Sequence, residues 1–263
     1  MKRRQAVVFD LDKTIGFFTQ IAVVMEAVED VLGREMKLQE FFDFLDVYPH
    51  VFRPDMFKIF NYLKKQKKRN KELKVLIYTN NIGPKSWVMN IRKYIEKKIN
   101  YKLFDKVIPA WKVGKEIYEP NRTTHNKTYR DLLRCGKLSK NYKVLFLDDL
   151  EHEQMRVDKV TYLLVKKYRY DERFEKLVDT LMKSKIKDMM VKKTKCNNNC
   201  NNNELIEMKL IESIKKSFYM KEMINFKQAN VPTVYPRVKK FIDSNNKTRK
   251  RRSSKRKTLK KRA

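Results

Sequence analysis

An apolar, β-branched run near the start of the chain, Val7-Val8-Phe9, breaks off into Asp10-Leu11-Asp12-Lys13-Thr14. Such a run reads as a strand buried on both faces, which puts Asp10 at its carboxyl end. Open α/β sheets carry their chemistry there. Two carboxylates one residue apart repel, and both stay ionised only where a cation or hydrogen-bond donors compensate. The pair points to a metal site with a carboxylate nucleophile.

The pattern recurs twice. Lys74 to Tyr78 (KVLIY) ends in Thr79-Asn80-Asn81, and Lys143 to Leu147 (KVLFL) runs into Asp148-Asp149. Lys106 to Ala110 and Val160 to Val165 read as two further strands. Between the strands, Thr19 to Leu32 predicts a helix closed by Gly33, and Leu38, Phe41, Phe42 and Leu45 repeat at helical spacing. Pro54 opens a third helix with Phe57, Phe60 and Leu63 inward, and Pro84 opens a fourth. Thr123 to Cys135 reads as a helix closed by Gly136, and Phe174, Leu177, Val178 and Leu181 align on another. This alternation predicts a Rossmann-like α/β domain over residues 1–186, a parallel sheet with helices on both faces.

Beyond it the composition changes. Residues 187–203, with Cys196-Asn197-Asn198-Asn199-Cys200 and three more asparagines, read as an Asn-rich linker. Residues 204–243 read as a helical extension and residues 244–263 as a disordered basic tail. The chain of 263 residues has a net charge of +32, and Lys247 to Arg262 holds eleven cations and no acid. That density fits nuclear import or attraction to nucleic acid or another polyanion. Without interleaved aromatics it fits attraction to a phosphate backbone without sequence readout. The longest apolar run is too short to cross a bilayer, so no membrane partner is expected. The start of the chain leads into a strand, unlike a signal peptide. Three cysteines without a framework fit a reducing, intracellular setting.

Aspartates, then a threonine, then aspartates again at three strand ends in chain order (Asp10/Asp12, Thr79, Asp148/Asp149) resemble the motifs of the haloacid dehalogenase superfamily over about residues 5 to 185. That resemblance implies that the three strand ends converge, that Asp10 attacks a phosphoryl group to form an aspartyl-phosphate, and that Asp12 is the acid–base. It assigns Thr79 and a neighbouring backbone N–H, that of Asn80, to the phosphoryl oxygens. Mg²⁺ falls to the Asp10 carboxylate, the Asp12 carbonyl and Asp148, with Asp149 acting through water. A lysine ahead of the Asp148 strand is also implied; Lys127 is the first candidate, Arg130 the second and Lys115 a distant third.

Within the superfamily the chain is most similar to the RNA polymerase II C-terminal-domain phosphatase type, the NLI-interacting-factor-like (FCP/SCP) family. The match rests on Arg53-Pro54, on Tyr129-Arg130-Asp131-Leu132, on Asp148-Asp149 and on the helix over Asp171 to Leu181. Versions of that domain occur in eukaryotes and large DNA viruses. It implies a protein phosphoserine or phosphothreonine phosphatase; a phosphatase for nucleic-acid ends or nucleotides, and a non-catalytic binding protein with a basic arm, are the alternatives. Where the family has a β-hairpin flap, Thr14-Ile15-Gly16 leads into helical sequence, so residues 17–50 are expected to form a small helical cap. Arg53 either binds substrate phosphate or braces the pocket wall. His125 and His152 read as exposed or capping residues, with the mouth of the pocket as the alternative place for His152, and Cys196-x-x-x-Cys200 lacks the further ligands of a zinc site.

Overall fold

The computed structural model describes residues 4–194, 202–216 and 230–244. Its strands, in chain order, are β1 (Gln5–Phe9), β2 (Leu73–Tyr78), β3 (Lys106–Ile108), β4 (Lys112–Val113), β5 (Glu116–Ile117), β6 (Lys143–Asp148) and β7 (Val160–Leu164). β4 and β5 pair as a short antiparallel hairpin, and the other five form a parallel sheet in the order β3-β2-β1-β6-β7. The chain thus builds outward from β1 through β2 to β3, then reverses to the other side of β1. This reversal leaves a crevice at the carboxyl ends of β1 and β6, the place where such sheets bind ligands. The expected strand over Lys106 to Ala110 stops at Ile108, since Pro109 has no N–H to continue a ladder.

The sheet belongs to a unit comprising residues 4–14, 54–166 and 231–244 of the described chain. All five residues of β1 are buried. Ala6 and Val8 join Leu76, Tyr78, Val144 and Phe146 in a core closed by Leu132, Cys135 and Leu138. Their neighbours in the strands face the other way, where the Phe9 ring meets Phe60 edge to face at 5.8 Å. Phe60 lies on α3 (Met56–Arg69); α4 (Lys85–Lys98) and α5 (Tyr129–Cys135) are the unit's other named helices. α3 starts two residues after Pro54, because Asp55 takes a left-handed conformation with φ 67° before the first turn. Burying both faces of such runs, at about 25 cal/mol per Å² of apolar surface, dominates the stability of this unit.

Two expectations for this unit are corrected. The helix expected over Thr123 to Cys135 covers only Tyr129–Cys135, because Thr128 is its N-cap and accepts from the Asp131 N–H at 2.9 Å. Gly136 does follow this helix, but with φ −78°, so a left-handed turn is not what it supplies. A Cβ there would stand 2.6 Å from the Leu132 carbonyl and 2.8 Å from Leu76 Cδ2, so close approach is what requires glycine. The extension over 204–243 is not one piece. A helix over residues 235–244 lies with the sheet, where Gln5 Nε2 donates to the Phe241 carbonyl at 3.0 Å and Tyr62 Oη donates to Asp243 at 3.0 Å.

The second unit takes residues 15–53 and, of the described chain, 167–194, 202–216 and 230. It contains α1 (Thr19–Leu32), α2 (Leu38–Val47), α6 (Phe174–Met182), α7 (Lys185–Lys193) and α8 (Asn202–Lys216). Gly33 caps α1 with φ 64°, a conformation glycine adopts without strain. The segment 17–50 is helical, yet it does not stand alone. Tyr48 Oη donates to the Leu177 carbonyl at 2.8 Å, and Gln20 exchanges two hydrogen bonds with the Glu172 backbone. The boundary expected at Ile186 falls inside α7, whose Ile186 and Met190 are buried one turn apart. α7 and α8 therefore take most of the expected linker 187–203, and α8 packs against α1 and α6. Cys196, Cys200 and the basic run from Lys247 lie outside the described residues. Among those described, no helix is long and apolar enough to cross a membrane.

Candidate functional site

Strand register assembles the site. Phe9 pairs with Ile77 on one side and Leu147 on the other, so Asp10 is level with Tyr78 and Asp148. The Asp10 N–H donates to the Leu147 carbonyl at 2.9 Å, fixing where the chain leaves the sheet. Lys13, with φ 61°, turns it back, and Thr14 Oγ1 donates to Asp149 Oδ1 at 3.2 Å. Lys127 reaches in from the loop before α5, its Nζ 2.5 Å from Asp10 Oδ1 and 2.7 Å from Asp148 Oδ2. Asp12 is held separately and accepts from Asn81 Nδ2 at 2.8 Å. At the end of β2 the Thr79 hydroxyl accepts from the Asn81 N–H at 3.0 Å.

Four carboxylates here surround one buried ammonium, and Lys13 adds a weaker pull on Asp12. Burial would push Lys127 down, but Asp10 and Asp148 on either side outweigh it and keep the group charged. Burial would likewise raise Asp148, yet His152, Lys127 and the Leu150 N–H hold it below the ordinary carboxylate range. Asp10 has fewer donors. Burial, opposed by Lys127 but reinforced by Asp148 and Asp12, pushes it up to about 7. Burial also raises Asp12, in spite of its Asn81 partner, and Asp149.

Oxygens of Asp10, Asp148 and Asp149 lie within 4.8 Å of one another, so this cluster can hold a metal ion. The donor set fits a hard divalent cation such as Mg²⁺, which takes carboxylate oxygens and offsets the excess of buried negative charge. Metal binding is then linked to the proton on Asp10. With a folded value near 7, above the ordinary carboxylate range, Asp10 favours the metal-free fold fully only below about pH 4. That contribution is lost as pH rises through 7, which is where an ionised ligand becomes available. Mg²⁺ should accordingly raise the melting temperature more at pH 8 than at pH 5.5. Equal shifts at the two pH values in a thermal melt would remove Asp10 from the ligand set.

Sequence reasoning did not single out Arg122. Its buried guanidinium donates to the carbonyls of Thr79 (3.1 Å), Pro109 (2.8 Å), His125 (2.9 Å) and Asn126 (3.3 Å), and to Asn80 Oδ1 (2.8 Å). It thereby ties the end of β2 to the loop that carries Lys127. From the other side, Asp131, fully buried, accepts from the Thr123 N–H at 3.0 Å and from its hydroxyl. The Thr128 N–H donates to Tyr78 Oη at 3.1 Å, closing the loop against β2.

The remaining candidates separate. Arg130 and Lys115 are exposed, so of the three cations only Lys127 meets the aspartates. Arg53 belongs to the helical unit, where its guanidinium lies 5.7 Å from the centre of the Tyr168 ring. His125 is exposed and meets Trp111 edge to face. His152, expected to be exposed or capping, has a side chain only 11% exposed and its Nε2 3.4 Å from Asp148 Oδ2. Tyr162 Oη turns it inward by accepting from the His152 N–H while donating to the Leu150 carbonyl. No protein-family model matches the chain, and no curated protein and no solved structure matches it either.

Proposed function

We propose that the protein is a Mg²⁺-dependent phosphomonoester hydrolase of the haloacid dehalogenase type that works through an aspartyl-phosphate on Asp10. The observation that carries this reading is the Lys127 ammonium set between Asp10 and Asp148 at the ends of adjacent parallel strands. A nucleophilic carboxylate needs such a fixed cation to approach a phosphate dianion. Asp10 then attacks phosphorus as the bond to the leaving oxygen breaks. Asp12, whose burial favours its protonated form, gives that oxygen its proton. One oxygen of Asp12 is occupied by Asn81, which leaves the other to carry the proton. In the second step Asp12 takes a proton from water as the water displaces phosphate from Asp10. Thr79, the Asn80 N–H and Lys127 hold the phosphoryl oxygens. Asp10 and Asp148, with the Asp12 carbonyl and Asp149, would hold Mg²⁺, which supplies the charge that lets two anions meet.

The resemblance in sequence favours a phosphoserine or phosphothreonine segment of a protein as substrate. The net charge of +32 gives a second reading, a phosphorylated nucleic-acid end. Turnover of an aryl phosphate should require Mg²⁺ and vanish in chelator. Wild-type protein no faster than its Asp10→Asn variant would end the proposal. A panel of phosphopeptides against phospho-oligonucleotides then decides between the two substrates.

A further inference from the structure

Arg122 is a buried cation whose hydrogen-bond acceptors are all neutral, four backbone carbonyls and the amide oxygen of Asn80. It makes no ion pair among the described residues. A buried charge without a paired carboxylate is costly, and burial accordingly pushes this guanidinium down from its ordinary range. Carbonyl dipoles, the Tyr78 ring 4.9 Å from the guanidinium carbon, and Asp131 and Glu119 acting without direct contact compensate it in part.

Its acceptors are not scattered. Thr79 and Asn80 form the turn assigned to the phosphoryl oxygens, and His125 and Asn126 are the two residues before Lys127. One planar fork therefore fixes both groups that would grip the substrate's phosphate. The bond to the Thr79 carbonyl adds a second effect. In a trans peptide the C=O and N–H point in opposite directions, so a cation on the Thr79 oxygen polarises the Asn80 N–H at the other end. That N–H is used by no acceptor among the described residues, and the Asn80 side-chain oxygen is already taken by Arg122.

We infer that Arg122 is a positioning residue that joins the phosphate-binding turn at Thr79-Asn80 to the Lys127 loop, and that its charge completes the site only when an anion is bound. The inference rests on the phosphatase reading of the site. Arg122 touches no reacting atom, so its effect passes through the Asn80 N–H and Lys127.

Three forms of the full chain test this: wild type, Arg122→Lys and Arg122→Gly. Each is measured by aryl-phosphate turnover with Mg²⁺, by calorimetric binding of inorganic phosphate and by thermal melting. Arg122→Lys keeps the charge but loses the fork, and should stay folded with kcat/KM lower by on the order of 10²-fold. Phosphate affinity should fall at least about tenfold in the same variant. Added guanidinium should restore phosphate binding to Arg122→Gly by filling the vacated place, and should leave the wild type unchanged. Should Arg122→Gly not fold, the Arg122→Lys measurements decide alone.

Wild-type turnover and phosphate affinity in a folded Arg122→Lys protein would overturn the inference while leaving the phosphatase reading intact. So would guanidinium that raises the melting temperature of Arg122→Gly but not its phosphate affinity, since that marks a purely structural role. A wild type that binds phosphate yet does not turn over refutes the hydrolase, and the binding measurements still judge Arg122. A wild type that does neither overturns both.

Discussion

Replacing Lys127 with Ala should damage both the fold and the proposed reaction more than loss of Arg130 or Lys115, the other two cations considered for the site. Lys127 is 2% exposed and its ammonium bridges two buried aspartates, Asp10 and Asp148. Removing one member of a buried ion pair costs about 3–5 kcal/mol, because the partner charge is left uncompensated. At about 2–4 °C per kcal/mol for a chain of this size, the metal-free variant should melt roughly 10 °C lower. Mg²⁺ should recover part of the loss, since it would supply positive charge that Lys127 no longer gives to Asp10 and Asp148. Turnover should fall by on the order of 10²–10³-fold, the usual effect of removing one donor to developing negative charge. Arg130→Ala is the control. Its side chain is exposed on α5, so both melting temperature and turnover should stay near wild type. The opposite ranking would return Arg130 to the site and displace Lys127.

Asp10→Asn should separate stability from chemistry. Loss of the proposed nucleophile, working as one unit with its neighbours, should remove on the order of 10⁴–10⁶-fold of turnover. The fold should not suffer in proportion, since the amide has the shape of the carboxylate without its charge. Above pH 7 the wild type, free of metal, must keep Asp10 ionised beside Asp148 and Asp12, a cost the variant escapes. The metal-free variant should therefore melt at or above the wild type at pH 8, and the gap should close below pH 6, where Asp10 carries a proton. Stabilisation by Mg²⁺ should shrink in the variant at either pH. A variant that melts well below wild type at pH 8 would mean that Asp10 serves mainly as the partner of Lys127 and that the balance of charge at the site is different.

The sheet was legible because its central strands are buried on both faces. Ala6 to Phe9, Val75 to Tyr78 and Val144 to Leu147 are near-continuous apolar runs, and each ends at a polar residue that lies in the site or beside it. Asp10, Thr79 and Asp148 could be read from that abrupt change alone. Lys127 was legible as a residue but not in its setting. Thr128-Tyr129-Arg130-Asp131 has the spacing of a helix start, and weighting it above the general helical character of Thr123 to Cys135 would have put Lys127 in a loop. Arg122 carried no such mark. It is one of 63 Lys and Arg residues, and four of its five acceptors are main-chain carbonyls, which look alike in any sequence. The boundary placed at Ile186 failed for another reason. α7 and α8 belong with α1, more than 150 residues earlier, and only long-range packing reveals that. Ile186 and Met190, spaced by one turn, were the local hint.

The hydrogen bond from Gln5 to the Phe241 carbonyl bears on the order of assembly during synthesis. Gln5 is among the first residues of the sheet to leave the ribosome, and its partner follows 236 residues later. At about 5–20 residues per second, the amino-terminal strand waits on the order of ten seconds or more for the helix that completes its surroundings. During that interval β1 can pair with β2 and then with β6, while its first side chain still bonds water. A nascent chain halted before residue 235 should thus hold the Asp10 crevice while remaining open to proteases at its Gln5 end.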